Sequence, residues 1–226
     1  MLIEALVPAY NEALTIGAVI DALRAAPSVS RVVVIDDGSK DDTAAIAARA
    51  GATVISMNPN GGKGNAMFAG LRTTTSEHVG FFDADLYGLK PEHVELMVAA
   101  ATQGFDMVCG LRDYGLLLNP WQLTGPVITG ERIVTRRLLD QIPTSCWSGY
   151  AIETAMNDAV RRTGGRTACL MLPGVTIRNK VQKDGGVLSG LWGHIKMASE
   201  IITTSRNLED SCGTSCTIGT APVVWP

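Results

Sequence analysis

Over the first 110 residues, short apolar runs alternate with stretches whose apolar positions recur every three or four residues. Residues 2–7 read as a strand, and 13–25 as a helix with Ile16, Val19, Ile20 and Leu23 on one face. Residues 31–35 are a β-branched run too dense in valine for a strand with a wet face. A helix over 42–50, a short strand over 53–56, a helix over 64–72 and a strand over 78–82 follow. Pro91 suits the first turn of the next helix, which runs to about 103, and residues 106–109 close the series as a strand.

Strand and helix in alternation, with near-continuous apolar strands, predict an α/β fold: a mostly parallel central sheet with helices on both faces. Ligands in such sheets bind beyond the carboxyl ends of the strands. Three of the expected strand ends carry polar or turn-forming residues there: Pro8 to Glu12, Asp36-Asp37-Gly38-Ser39, and Asp83-Ala84-Asp85. The second half is less regular. Residues 110–130 lack a period and contain Pro120, Trp121 and Pro126, which predicts a long loop. Helices are expected over 131–139, 150–162 and 187–206, with a strand over 167–172 and a loosely held tail over 207–226. Residues 1–206 are expected to form a single domain, with a donor half to about residue 110 and an acceptor half beyond it.

Composition narrows the partners. The formal charge is -3 and no basic run exceeds the pairs Arg136-Arg137 and Arg161-Arg162, which argues against nucleic acid. No apolar stretch approaches the ~20 residues that cross a bilayer. Glu4 and Pro8 interrupt the N-terminal apolar run and no basic segment precedes it, so no secretory signal is expected. The cytoplasm is therefore the expected location, with peripheral membrane contact and a homodimer both left open. Five cysteines without regular spacing do not suggest a disulfide framework, and Cys212 and Cys216 lie in the Gly/Ser/Thr-rich tail.

Asp83 and Asp85 lie two residues apart, so in an extended chain their carboxylates share a side and can converge on one magnesium or manganese ion. The plainer alternative is a turn at a strand end. Asp36 and Asp37 can accept hydrogen bonds from a base or cap the following helix, and one is expected to do each. Lys63, in the glycine-rich stretch 60–65 ahead of a helix, can meet a phosphate, although the spacing is not that of a Walker loop. Arg178, Lys180 and Lys183 form the densest cation cluster. They are expected either to close over a diphosphate or to be a solvated loop.

Together, residues 7–12, 34–43, 62–64 and 82–86 resemble glycosyltransferase family 2, whose fold is GT-A. The resemblance implies that Pro8, Tyr10, Glu12 and Asp36 cradle the base and ribose of a UDP- or GDP-sugar. It further implies that Asp83 approaches the ribose or the metal, and that Asp85 ligates it. Residues 130–132 and 149–153 resemble the acceptor-side motifs of polyprenyl-phosphate and glucosyl-3-phosphoglycerate-type synthases. Glu153 matches the position that supplies a base beside the acceptor hydroxyl, with Glu131 in reserve. The implied activity is metal-dependent hexosyl transfer to a small phosphorylated molecule, a polyprenyl phosphate or a saccharide, inverting by family default, with retention left open by the resemblance to phosphoglycerate-type synthases. Two other readings stay open: a sugar-nucleotide-binding module without turnover, and a nucleotidyltransferase.

Overall fold

The computed structural model describes residues 1–113, 127–149 and 151–177. The elements in order are β1 (Ile3–Ala9), α1 (Ile16–Ala25), β2 (Val29–Asp36), α2 (Thr43–Arg49), β3 (Thr53–Ser56), α3 (Lys63–Leu71), β4 (His78–Phe81) and β5 (Leu86–Tyr87). They continue as α4 (Pro91–Ala101), β6 (Met107–Arg112), β7 (Arg132–Thr135), α5 (Arg136–Leu139), α6 (Ala151–Thr163), β8 (Thr167–Leu172) and β9 (Thr176–Ile177). Seven strands form one sheet in the order β3-β2-β1-β4-β7-β6-β8, and β5 pairs with β9 in a small antiparallel ribbon.

Side chains alternate across the sheet as strand geometry requires. Val32 and Val34 of β2 join one core with Ile16, Val19, Ile20 and Leu23 of α1 and with Val94 and Met97 of α4. Val33 and Ile35 point the other way, into a core with Ala66, Met67 and Leu71 of α3 and Ile152 and Met156 of α6. That explains the unbroken apolar run at 32–35: this part of the strand has no wet face. Pro91 occupies the first turn of α4, where its missing N–H costs nothing.

The second half departs from the sequence expectations in two places. Residues 131–139 do not form one helix. Arg132–Thr135 is a strand, and the helix shrinks to Arg136–Leu139. Ile133 and Val134 are β-branched and fill the slot between β4 and β6, pairing antiparallel with both. Residues 110–112, expected in the long loop, continue β6 instead, because β8 runs parallel beside it as far as Arg112↔Leu172. Gly110 is there for packing: a Cβ would meet Leu172, Glu131 and the Met97 sulfur at 2.7–3.1 Å.

The reversed direction of β7 matters for the site. β1, β2, β3, β4, β6 and β8 all end at the same edge of the sheet, whereas β7 begins there. The residues leading into β7, Thr129 to Glu131, are thereby delivered to the edge where ligands bind in such folds.

Candidate active site

After β1 the chain turns through Tyr10, Asn11 and Glu12, and it is stitched to the turn after β2. Asn11 takes a left-handed φ of 57°, which asparagine tolerates. Its N–H donates to Ser39 Oγ at 2.9 Å, and its Oδ1 accepts the Lys40 N–H at 2.8 Å. The Glu12 N–H donates to Thr43 Oγ1 at 2.8 Å. Asp36 Oδ1 accepts the Ser39 N–H at 3.2 Å. Asp37 reaches a third turn, where its two oxygens accept the N–H groups of Gly61 and Gly62, each at 2.7 Å. Gly62 has φ of +83°, so glycine is needed at this entry to α3.

The capping expectation for Asp36 or Asp37 is corrected by these contacts. Asp41 serves the start of α2, accepting the Thr43 N–H at 3.1 Å and the Ala13 N–H at 3.2 Å. Asp37 is too far back in the turn to reach the helix and is drawn to the glycine loop.

On the other side of the cleft, side chains hold one another by charge. Lys63, the first residue of α3, places Nζ 2.8 Å from Asp83 Oδ1 and 2.7 Å from Glu153 Oε1. Asp83 Oδ2 takes Arg112 Nη2 at 2.6 Å. The Arg112 guanidinium also grips Glu131, with Nη2–Oε1 and Nε–Oε2 both 3.1 Å. Glu131 is fully buried, and Oε2 further contacts the Thr129 hydroxyl. Burial opposes charge on Asp83, yet the Lys63 ammonium and Arg112 guanidinium outweigh it and hold its carboxyl at about 2. Burial also pulls against the Lys63 charge, but Asp83 and Glu153 more than compensate and its pKa is raised. For Glu131 burial wins over Arg112, and its carboxyl is pushed up.

Two glycines make this arrangement sterically feasible. A Cβ on Gly130 would lie 2.3 Å from the carboxylate atoms of Asp83. A Cβ on Gly64 would lie 2.5 Å from the Ser148 nitrogen, so α3 starts directly against the main chain that precedes α6.

A cleft of about 210 Å³ opens at this edge, lined by Pro8, Ala9, Tyr10, Glu12, Asp37, Lys63, Ala66, Asp83, Ala84 and Asp85. The structure thus gathers nearly all the donor-side residues singled out in the sequence. Asp36 stands behind the lining, buried at the end of β2. Glu153, in the first turn of α6, and Glu131 join through Lys63 and Arg112. Arg178, Lys180, Lys183, Cys212 and Cys216 lie outside the described residues, as does the helix expected over 187–206. Arg112 and Thr129 are not singled out by sequence. Arg112 falls where the pattern predicted loop, and no spacing ties it to Asp83 or Glu131. Among the described residues no three His, Cys, Asp or Glu side chains converge as a metal cage, and no helix is long and apolar enough to cross a membrane.

Comparison with known proteins adds independent findings. The profile of glycosyl transferase family 2 matches residues 5–147. An uncharacterized glycosyltransferase of Mycobacterium tuberculosis is 34% identical over 139 residues, 61% of this chain and 62% of that protein. Glucosyl-3-phosphoglycerate synthase of the same species is 28% identical over 211 residues, 89% of this chain and 55% of that one. The chain thus aligns with less than two thirds of either relative's length. A crystal structure of the M. tuberculosis glucosyl-3-phosphoglycerate synthase, in complex with Mn2+, UDP and phosphoglyceric acid, superposes with a TM-score of 0.75 at 27% identity. It covers 99% of this chain and 87% of that one. The seven-stranded sheet is therefore that of a GT-A fold. With the cleft residues from Pro8 to Gly130 all inside the matched stretch, this chain belongs to glycosyltransferase family 2.

Proposed function

We propose that the protein transfers a hexose from a UDP-sugar to a hydroxyl of a small phosphorylated acceptor, with a divalent cation at Asp85. The observation that carries this reading is the charge of the cleft. Among the described residues its lining presents four carboxylates, Glu12, Asp37, Asp83 and Asp85, against the ammonium of Lys63, with the Arg112 guanidinium reaching Asp83 from behind. A diphosphate cannot approach such walls without added positive charge.

A manganese or magnesium ion fits the residues present. Such ions bind through one or two carboxylates and complete their shell with substrate phosphates and water, so a full protein cage is unnecessary. Asp85 lines the cleft two residues beyond Asp83, and it is the carboxylate that the family resemblance assigns to the metal. When bound, the ion supplies Lewis-acid stabilisation of the charge gathering on the departing diphosphate. The preference for UDP over GDP, and for a phosphorylated acceptor, draws on the synthase crystallised with UDP and phosphoglyceric acid.

Within this reading, Pro8, Tyr10, Glu12 and Asp36 hold the base and ribose, while Asp37 fixes the Gly61-Gly62 turn from which Lys63 projects. Glu153 accepts the proton of the acceptor hydroxyl. The acceptor oxygen attacks the anomeric carbon, the bond from that carbon to the diphosphate breaks, and the electron pair leaves with UDP. A single displacement of this kind inverts the anomeric centre. Glu131, buried and gripped by Arg112, serves as a support.

Thermal unfolding with UDP or UDP-glucose tests the donor reading. With Mn2+ present, ligand at a hundred times its dissociation constant should add about 2.7 kcal/mol of stability. Asp85→Ala should lose the metal-dependent part. Indifference of the native protein to both nucleotides with Mn2+ would sink the proposal. For the acceptor side, Glu153→Gln should lower turnover by about 100-fold or more, the usual range for a lost general base, and Glu131→Gln by far less. The reverse order would transfer the role to Glu131.

A further inference from the structure

Arg132 is 1% exposed, so its guanidinium, a fork of donors with no acceptor, is buried. Every hydrogen bond it makes among the described residues goes to a neutral acceptor. Nε donates to the Thr129 carbonyl at 2.9 Å and Nη2 to the Val127 carbonyl at 2.8 Å. Nη1 donates to Asn157 Oδ1 at 2.8 Å and contacts Met107 Sδ at 3.2 Å. Asn157 Nδ2 donates to the same Val127 carbonyl at 2.8 Å. A buried cation is costly unless its acceptors are fixed in advance, so these groups and Arg132 hold each other in place.

The acceptors come from the approach to β7, from α6 and from β6. The approach segment is drawn inward at two successive alternate carbonyls, Val127 and Thr129. Between that anchorage and β7 lies Gly130, whose Cα faces the carboxylate of Asp83 too closely to allow a side chain. The Thr129 hydroxyl, bonded to the Gly110 carbonyl at 2.7 Å, ties the segment down from the opposite side. Arg132 alternates with Glu131 along the chain, so the two neighbours work on different things: Glu131 supports Arg112, and Arg132 supports the backbone.

We propose that Arg132 is a positioning residue for sugar transfer: its buried guanidinium latches residues 127–130 to α6 and so sets the distance of Gly130 from Asp83. This rests on the reading of Asp83 and Asp85 as the donor end of the cleft. Residues 127–130 then form the wall that separates donor from acceptor, and a slack wall displaces the acceptor without touching the nucleotide.

Hydrogen exchange and kinetics of Arg132→Met, Arg132→Lys and Asn157→Ala test the proposal in the intact chain. Exchange across 127–131 should accelerate at least about tenfold in Arg132→Met, with β1 and β2 unchanged. UDP-glucose turnover with Mn2+ should fall about 100-fold at unaltered UDP affinity, the scale expected for an ångström of misplacement. Arg132→Lys should recover part of both, and Asn157→Ala, at a half-buried position, should show the same effects more weakly. If Arg132→Met does not fold, Asn157→Ala decides. Native exchange rates at 127–131 in the variants would overturn the proposal, as would an equal loss of UDP affinity and turnover. Should the native protein bind no UDP, the donor reading fails while exchange still judges the latch.

Discussion

The two sides of the cleft hold their carboxylates in different ways. Beyond β1 and β2, the partners are neutral and mostly backbone N–H groups: Ser39 for Asp36, Gly61 and Gly62 for Asp37, and Thr43 and Ala13 for Asp41, which also accepts the Thr43 hydroxyl. Beyond β4 and β6, the partners are cationic side chains: Lys63 for Asp83 and Glu153, Arg112 for Asp83 and Glu131. A backbone donor is neutral, rigid and already fixed by the turn that presents it. A cationic partner must itself be kept in place, and removing it strands a charge. The first side should therefore be robust and the second sensitive both to mutation and to pH.

The largest effect is expected at Lys63. Lys63→Met leaves two carboxylates facing each other with their shared cation gone, which should cost about 3 kcal/mol in urea unfolding. A loss below about 1 kcal/mol would remove the distinction between the two sides. Next comes the acid response of Asp83. Its folded-state carboxyl lies at about 2, below the ordinary 3.8, so the stability it adds is fully present above about pH 5 and is lost as pH falls towards 2. Native protein should lose about 2 kcal/mol more over that interval than Asp83→Asn. Parallel pH curves for the two would show that Asp83 is not held by charge. The smallest effect belongs to the backbone-held side. Asp37→Asn exchanges one of two accepting oxygens for a donor and should cost about 1 kcal/mol, with little dependence on salt between ~0.05 and ~1 M.

The same contrast governs how much could be read from sequence. The backbone-held side is written locally. Pro8 to Glu12 and Asp36 to Ser39 come directly after strands marked by dense apolar residues, so both the elements and their polar ends are visible in one pass. The charge-held side is assembled across the chain. Lys63 and Glu153 are 90 residues apart, Asp83 and Arg112 29, and Arg112 and Glu131 19. Lys63 shows as a cation near a helix start, but nothing local indicates that two carboxylates meet it there. Strand β7 is hidden for a related reason. Arg132 to Thr135 is only four residues long, and it becomes a strand because β4 and β6 lie on either side of it. Arg112 reads as loop from sequence because its strand is defined by β8, far along the chain, where it pairs with Leu172.

The contact at Gly64 bears on any attempt to give this scaffold a new acceptor. With α3 resting on the bare peptide of Trp147 and Ser148, the height of that peptide sets the height of Lys63. Exchanging the stretch before α6 for one of another length would first shift the cation shared by Asp83 and Glu153, before any new acceptor is encountered. Grafts on this side should therefore keep the 147–148 main chain and vary only residues beyond it.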